Sequence, residues 1–235
     1  MYKGRTVSVV IAAAGSGRRM GTGSKNKVYI EIGGKTILER TFEAFENNAF
    51  VDRIFAAVRE EDLDFCRENV LRADRHPKLG GLTAGGTERC ISVYKALEKT
   101  EDEDIVLIHD GARPFVDDET INLCIEGAAE HGCCAAGVPV KDTIKAVDNG
   151  VVSETPDRSR LYAVHTPQAF IAEEIKECMK AGIEEGFYGT DEAVFAEKQG
   201  KKVFIVASKY DNIKVTTSDD LIIAEAVLAK RKNRE

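Results

Sequence analysis

The sequence predicts an α/β protein in which a Rossmann-like, mostly parallel sheet carries helices on both faces and one β-hairpin arm protrudes. Apolar runs of strand length alternate with stretches of helical periodicity along almost the whole chain, a pattern typical of such sheets. The length of 235 residues allows a substantial core. Residues 141–161 alone interrupt the alternation. We therefore expect one domain over residues 1–235, with residues 141–161 forming the arm within it.

The strands and helices follow from the spacing of apolar residues. The predicted strands are Thr6–Ala13, Arg53–Val58, Asp104–His109, Ala135–Val140 and Lys202–Ala207. The predicted helices are Thr36–Phe45, Glu60–Asn69, Thr87–Lys99, Asp118–Glu130, Ala172–Ala181 and Ser218–Lys232. Glu39 follows Thr36 by three residues, a spacing typical of a capping box, so the first long helix should begin there.

The predicted arm is polar, β-branched and rich in turn residues. Asp148-Asn149-Gly150 is a hairpin-turn sequence between two short strands. A segment of this length without a core-forming pattern is typically functional or disordered. The arm should therefore protrude from the sheet.

The composition excludes several function classes. A net charge of -7 argues against a nucleic-acid-binding surface, which needs clustered lysine and arginine. The six cysteines have neither Cys-x-x-Cys pairs nor the spacing of a disulfide framework, so we expect buried thiols. No apolar run approaches the length of a membrane span. These features predict a cytoplasmic protein that contacts neither membrane nor nucleic acid.

A loop of small residues follows the first predicted strand. Ala14-Gly15-Ser16-Gly17 is followed at once by Arg18 and Arg19. Small side chains expose backbone N–H groups to a ligand, and arginines neutralise phosphate, so the loop fits a phosphate cradle. A tight strand-to-helix turn with solvated arginines explains the same residues equally well.

Two better-known glycine motifs do not match this region. A dinucleotide-binding fingerprint would need glycine or alanine at position 20, which is Met20. A phosphate-binding Walker loop ending at Gly34-Lys35-Thr36 would need glycine where Tyr29 stands. The sequence therefore favours neither a nicotinamide-dependent oxidoreductase nor a Walker-type nucleotide hydrolase.

Two further lysines, Lys25 and Lys27, follow in the same loop and bring its cations to four within ten residues. This is a high local density for an acidic protein, although a lysine-rich loop also serves solubility alone.

Asp110 and Arg113 lie at the carboxyl end of a predicted central strand, within His109-Asp110-Gly111-Ala112-Arg113-Pro114. Ligands of open α/β sheets bind at this edge, where a carboxylate suits a metal and an arginine suits phosphate. The alternative is a strand-end turn stabilised by an ion pair between the two side chains.

Together these segments resemble the 2-C-methyl-D-erythritol 4-phosphate cytidylyltransferase family of the non-mevalonate isoprenoid pathway, in order and spacing over nearly the whole chain. The segments that carry the resemblance are Ala13–Met20, Asn26–Tyr29, Gly85–Arg89 with Ser92-Val93, His109–Phe115, Pro139–Lys145, Thr166–Phe170, Thr190–Ala193 and Asp211–Thr216. The resemblance implies a nucleotidyltransferase fold. It also implies that CTP and methylerythritol phosphate are joined, with release of pyrophosphate, by attack of the acceptor phosphate on the α-phosphorus.

The resemblance also implies roles for individual residues. Catalytic roles fall to Arg19, Lys27, Arg158 and Lys214. Nucleotide contacts fall to Ala13, Ala14, Gly15, Gly17, Gly86, Ser92, Asp110 and Gly111. Acceptor contacts fall to Arg113, Asp142, Thr143, Thr166 and Thr190. Mg²⁺ or another divalent cation would bridge phosphate oxygens, with Asp110 as its protein ligand, and a homodimer would form through the arm.

Two departures from the family pattern leave alternatives open. Asn26-Lys27-Val28-Tyr29 stands where many members have Pro-Lys-Gln-Tyr, and the preceding segment is one residue longer than in some members, so Lys25 competes with Lys27 for the catalytic role. Thr87 stands where some members carry an acidic residue. Ribitol-5-phosphate cytidylyltransferase, another user of CTP and a polyol phosphate, is the alternative function.

Overall fold

The computed structural model describes residues 1–15, 26–100 and 103–232. Eleven strands are present within these ranges, numbered along the chain. They are β1 (Val7–Ala12), β2 (Glu31–Ile32), β3 (Lys35–Thr36), β4 (Arg53–Val58), β5 (Leu79–Ala84), β6 (Ile105–Asp110), β7 (Cys133–Pro139), β8 (Ala146–Asp148), β9 (Val151–Glu154), β10 (Tyr162–Ile171) and β11 (Phe204–Ala207).

Seven of the described strands form the central sheet, in the order β11-β7-β10-β6-β1-β4-β5. Strand β1 lies at the centre of its parallel part and pairs with β4 on one side and β6 on the other. Strand β10 runs antiparallel to both β6 and β7. The prediction of a mostly parallel sheet with flanking helices is thus confirmed, and its five strands are all present with boundaries shifted by at most two residues.

The helices of the described ranges cover the sheet. They are α1 (Ile37–Glu46), the short turn α2 (Leu63–Phe65), α3 (Arg89–Leu97), α4 (Asp118–His131), α5 (Ala172–Glu184), α6 (Ala193–Lys198) and α7 (Ser218–Lys232). Thr36 caps α1, because its side chain accepts a hydrogen bond from the Glu39 backbone N–H at 3.1 Å.

The prediction of one regular helix over Glu60–Asn69 is wrong. A 3₁₀ turn, the α-helical turn α2 and a π-helical turn from Cys66 to Val70 divide this segment. Cys66 and Val70 turn inward, whereas the acidic first turn stays at the surface. The segment has too few core-facing residues for a continuous amphipathic helix.

The core has one layer on each face of the sheet, as the alternation of side chains along strands requires. On one face Val9 and Ile11 of β1 pack with Phe42 and Phe45 of α1. On the other face Val10 packs with α3, α5 and α6. Both layers are buried at β1, which fixes the carboxyl end of this strand in the middle of the molecule.

The predicted arm is a two-stranded hairpin. Strands β8 and β9 pair antiparallel across a turn at Asn149 and Gly150, which have φ angles of +49° and +82°. Gly150 adopts this left-handed conformation without the steric cost that a Cβ would bring. All residues of β8 and β9 are exposed.

All six cysteines are free and buried, as predicted. None of the described helices combines the length and the apolar composition that a transmembrane segment requires.

Candidate active site

A large cavity of about 1010 Å³ lies where the parallel strands β1, β4, β5 and β6 end. The edge of an open α/β sheet at its carboxyl ends is where the sequence predicts ligand binding. The predicted residues that line this cavity are Ala13, Ala14, Gly15, Lys27, Gly86, Ser92, Asp110 and Lys214.

A smaller cavity of about 190 Å³ is lined by the predicted acceptor residues Arg113, Thr166 and Thr190. Arg89, Asp110 and Lys214 line both cavities. The structure therefore has two cavities that share one wall, and this wall carries two cations and one carboxylate.

Asp110 is the electrostatic centre of this wall. Its Oδ2 lies 2.9 Å from Lys214 Nζ and 3.3 Å from Arg113 Nε, and its Oδ1 lies 3.2 Å from Arg89 Nε. Burial by itself raises the pKa of Asp110, but Arg89, then Lys214 and Arg113, outweigh burial and lower it far below its usual value. Asp110 is therefore a carboxylate at any pH near neutrality.

A hydrogen-bond chain fixes the backbone of Asp110. Its N–H donates to Thr166 Oγ1 at 3.0 Å. His109 Nε2 lies 3.0 Å from the Arg113 carbonyl oxygen, which can only accept, so Nε2 carries the ring proton and donates it. The other nitrogen of the neutral ring, Nδ1, therefore accepts a hydrogen bond from the Thr166 hydroxyl at 3.1 Å. Burial lowers the pKa of His109 to about 4, so the imidazole is neutral. His109 therefore orients the strand end from the core and faces neither cavity.

Small residues shape the floor of the larger cavity. The Gly86 N–H donates to Ser92 Oγ at 2.9 Å, and the Ser92 hydroxyl donates to the Glu88 carbonyl at 3.0 Å. A Cβ at Gly85 would lie 2.4 Å from the Ala14 Cβ and 3.0 Å from Ser92 Oγ. The glycines therefore let two strand ends approach closely and leave a narrow recess with backbone at its walls.

Gly111 lies behind this recess and does not line it. A Cβ at Gly111 would lie 2.9 Å from the Ala13 Cβ and 3.1 Å from the Ala12 carbonyl oxygen. Its N–H donates to the same carbonyl at 2.9 Å. Gly111 therefore packs closely against Ala13 and positions it, and its nucleotide contact stays a prediction.

Lys27 reaches the cavity from a 3₁₀ turn that Asn26 anchors. Asn26 is buried, accepts a hydrogen bond from the Val28 N–H and donates through Nδ2 to the Ala13 carbonyl at 3.0 Å. Lys27 Nζ donates to the Val215 carbonyl at 2.9 Å, next to Lys214. Asn26, which replaces the proline of many family members, thus ties the lysine turn to the end of β1.

Three predicted residues lie on the arm segment, away from both cavities. Asp142, Thr143 and Arg158 are exposed and line neither cavity of the described structure. The guanidinium of Arg158 donates to the Lys141 carbonyl at 2.6 Å. Within one chain the structure does not bring them to the other predicted residues. The predicted site residues Gly17 and Arg19 lie outside the described residues, as does Lys25.

Arg89 of the shared wall and its buried partner Glu192 received no role from the sequence. Arg89 bonds Asp110, and its Nη1 also lies 2.6 Å from Oε1 of the fully buried Glu192. Arg89 and Glu192 lie in segments that carry the family resemblance, and that resemblance is the signal in the sequence that could have revealed them. Their pairing joins positions 103 apart in the chain, so no spacing rule exposes it.

The comparisons with known proteins agree with this geometry. The model of the family described as 2-C-methyl-D-erythritol 4-phosphate cytidylyltransferase matches residues 7–230. A relative with that name from Lysinibacillus sphaericus is 44% identical over 223 residues, which cover 95% of this chain and 96% of the relative. Another from Clostridioides difficile is 42% identical, with 97% and 96% covered.

Solved structures give the same result. The 4-diphosphocytidyl-2C-methyl-D-erythritol synthase from Anaerococcus prevotii superposes with a TM-score of 0.84 at 30% identity and covers 96% of both chains. The 2-C-methyl-D-erythritol 4-phosphate cytidylyltransferase from Thermus thermophilus gives a TM-score of 0.77 at 28% identity, with 94% of this chain and 98% of that chain covered. The matched family model, the near full-length relatives and the shared fold agree, and this chain belongs to the 2-C-methyl-D-erythritol 4-phosphate cytidylyltransferase family.

Proposed function

We propose that this chain transfers a cytidylyl group from CTP to 2-C-methyl-D-erythritol 4-phosphate and releases pyrophosphate. The observation that carries the proposal is the pair of adjoining cavities with Arg89, Asp110 and Lys214 in their shared wall. Two anionic substrates whose phosphate groups react with each other need cationic side chains where they meet. The family match and the names of the relatives favour methylerythritol phosphate over ribitol 5-phosphate as the acceptor.

The larger cavity takes the nucleotide. Its recess beside Ala13, Ala14, Gly86 and Ser92 presents backbone groups to the base, and its narrow walls favour a pyrimidine over a purine. Gly15, Gly17, Arg19, Lys27 and Lys214 supply backbone donors and cations for the triphosphate. Lys27 Nζ and Lys214 Nζ, both bonded to protein acceptors in this structure, exchange these acceptors for phosphate oxygens when the nucleotide enters.

The reaction needs no covalent intermediate on the protein. An oxygen of the acceptor phosphate forms a bond to the α-phosphorus of CTP while the bond from that phosphorus to the β-phosphate oxygen breaks. The bonding electrons leave with pyrophosphate. The protein holds the two substrates in line and stabilises the negative charge of the transition state, principally through Lys27 and Arg19.

A divalent cation fits this site through one protein ligand. Within the described ranges, no group of three or more His, Cys, Asp or Glu side chains is arranged to hold a metal ion. Asp110 is nonetheless ionised and lines both cavities, and one carboxylate together with substrate phosphates is a common set of ligands for Mg²⁺. Asp110 would hold the cation together with substrate phosphates, and the cation would neutralise phosphate charge.

The acceptor occupies the smaller cavity, where Arg113, Thr166 and Thr190 bind its phosphate and hydroxyl groups. Its volume of about 190 Å³ suits a small polyol phosphate that also reaches into the shared wall. We further propose that Asp142, Thr143 and Arg158 complete this subsite from the arm of a second subunit. The exposed apolar side chains of the arm support a homodimer: Ile144, Val147, Val151 and Val152 are 40%, 54%, 69% and 53% exposed.

Pyrophosphate release tests the proposal. The purified chain is incubated with Mg²⁺, one nucleoside triphosphate and one polyol phosphate, and the panel includes CTP, ATP and GTP against methylerythritol phosphate and ribitol 5-phosphate. We expect CTP with methylerythritol phosphate to give by far the highest kcat/KM, and excess chelator to abolish the reaction. A higher kcat/KM with ribitol 5-phosphate, or comparable values for the three nucleotides, would reject the assignment.

A further inference from the structure

Glu192 is a carboxylate with no access to solvent, at the amino end of α6. Its Oε1 accepts a hydrogen bond from Arg89 Nη1 at 2.6 Å, and within the described residues its Oε2 has no hydrogen-bond partner. A buried ion pair contributes little net stability, because the loss of hydration offsets the attraction between the charges. An incompletely bonded carboxylate in the core therefore needs another explanation than stability.

The position of Arg89 supplies that explanation. One guanidinium edge binds Asp110 through Nε and another binds Glu192 through Nη1, so the planar group is held at two points. The side chain remains 30% exposed and lines both cavities. A guanidinium has five N–H donors, and those outside these two bonds are available to substrate oxygens.

Glu192 also belongs to the loop that carries Thr190. Gln168, fully buried on β10, accepts hydrogen bonds from the N–H groups of Glu192 and Ala193 at 3.1 and 2.9 Å. Its Nε2 donates to Asp191 Oδ2 at 2.7 Å. The loop that carries Thr190, here called the acceptor loop, is thus tied to β10 through its backbone and to Arg89 through the side chain of Glu192.

We propose that Glu192 is a positioning residue for the transfer reaction. It holds the Arg89 guanidinium in the wall between the two cavities and so aligns the acceptor loop with Asp110 and the nucleotide phosphates. The inference rests on the proposed function, because it gives Arg89 the phosphates of that reaction to bind. Without the charge of Glu192, the Arg89 guanidinium would be held by Asp110 alone and would be free to rotate out of the wall.

The substitution Glu192→Gln tests this directly, because it removes the charge and keeps the shape. We expect kcat to fall about 10- to 100-fold, the range of one charge-assisted contact. The KM for the acceptor should rise, whereas the dissociation constant for CTP without acceptor, measured by calorimetry, should change less than about threefold. An unchanged kcat, or a loss confined to CTP affinity, overturns the proposal.

A double-mutant cycle separates positioning from a general structural effect. If Glu192 acts through Arg89, the double variant Arg89→Gln/Glu192→Gln should be no less active than Arg89→Gln alone. Losses that multiply overturn the proposal. Glu185→Gln is the matched control, since it removes a carboxylate from an exposed pair with Lys198 that lies outside both cavities, and its activity should equal that of the wild type.

Two further measurements cover the case in which Glu192→Gln does not fold and test the position of Arg89 directly. If Glu192→Gln does not fold, Arg89→Lys replaces the two-point guanidinium by a single point charge, and full activity of that variant overturns the proposal. A crystal structure of the folded variant should show the Arg89 guanidinium displaced from position 192. An unmoved guanidinium contradicts positioning whichever nucleotide and polyol phosphate the wild type uses, so failure of the inference is distinguishable from failure of the proposed function.

Discussion

The wall between the cavities and the β-hairpin arm place cations in opposite surroundings. In the wall, Arg89 and Lys214 form ion pairs with one buried carboxylate, Asp110, which is the last residue of β6. Arg158 lies on an exposed segment, and its guanidinium donates to the backbone of Lys141. A cation in the wall has its position fixed by the core of its own chain, whereas we propose that Arg158 is fixed by a second subunit that covers the arm. The difference divides the candidate site into a half that one chain completes and a half that we assign to a dimer.

The largest loss of activity should come from a substitution in the half of the candidate site that one chain completes. Lys27→Ala removes a cation whose turn Asn26 ties to the end of β1, so kcat should fall by roughly 10²–10³-fold or more, as for other preorganised donors to a developing negative charge. Steady-state pyrophosphate release measures this, and circular dichroism checks the fold. Lys25→Ala is the matched control and should cost far less. The reverse ranking would move the catalytic role to Lys25.

The free energy of unfolding should depend on pH through His109, which is buried next to Asp110. Its pKa is lowered from 6.5 to about 4 by burial, so between these values the unfolded chain binds more protons than the folded chain. Stability is therefore fully present above pH 6.5 and is lost as the pH falls toward 4, by at most about 3 kcal/mol from this group. Urea unfolding at pH 7 and pH 4.5 should show a smaller pH dependence in His109→Asn than in the wild type.

The control for this titration is a histidine outside the wall. His131 lies exposed at the end of α4, so His131→Asn removes a histidine without disturbing the chain of bonds through Thr166. Equal pH dependence in the His109 variant and the wild type would mean that the neutral buried imidazole does not contribute to acid unfolding.

A smaller loss, about 10- to 100-fold in kcat/KM for the acceptor, is expected for Arg158→Ala, since one charge-assisted contact is removed. Mixing this chain with a Lys27→Ala chain tests whether the arm acts across the dimer. In a verified heterodimer one site then combines an intact Lys27 with the intact Arg158 of the other subunit, and about half of the wild-type activity should return. Heterodimers without recovery would place Arg158 in the site of its own chain.

Local sequence patterns explain which strands the sequence predicts and which it does not. Arg53–Val58 is predicted to the residue, because a continuous apolar run between turns is typical of a buried parallel strand. Strand β10 was missed, since Pro167 interrupts it and its first residues are exposed. Strand β5 was missed because Gly80 and Gly81 lower its apparent β-propensity, although a Cβ at Gly80 would lie 2.6 Å from the Phe55 ring.

The residues of the candidate site are likewise predicted where a local pattern marks them and missed where only tertiary contacts do. Small residues and cations next to strand ends are visible in the sequence, and most of them line the two cavities. The ion pair of Arg89 with Glu192 is not visible, because it depends on how α3 and the loop before α6 meet across the chain. Local patterns predict which residues a strand end presents, whereas the pairing of distant charges depends on tertiary packing.

The smallest effect should show whether the arm holds the dimer together. Gly150 in the arm turn and Gly4 in the turn between Tyr2 and Arg5 both have a φ of +82° and open space where a Cβ would stand. Alanine at either position should therefore cost about 1 kcal/mol of local conformational strain. An isolated two-stranded hairpin is marginal in water, so we propose that the arm becomes fully ordered only in the dimer. Gly150→Ala should then raise the dimer dissociation constant about fivefold and, because both strands of the arm are exposed, leave the unfolding of the core unchanged. Gly4→Ala should leave that constant unchanged. Sedimentation equilibrium measures both variants, and equal dissociation constants would show that the arm does not hold the dimer together.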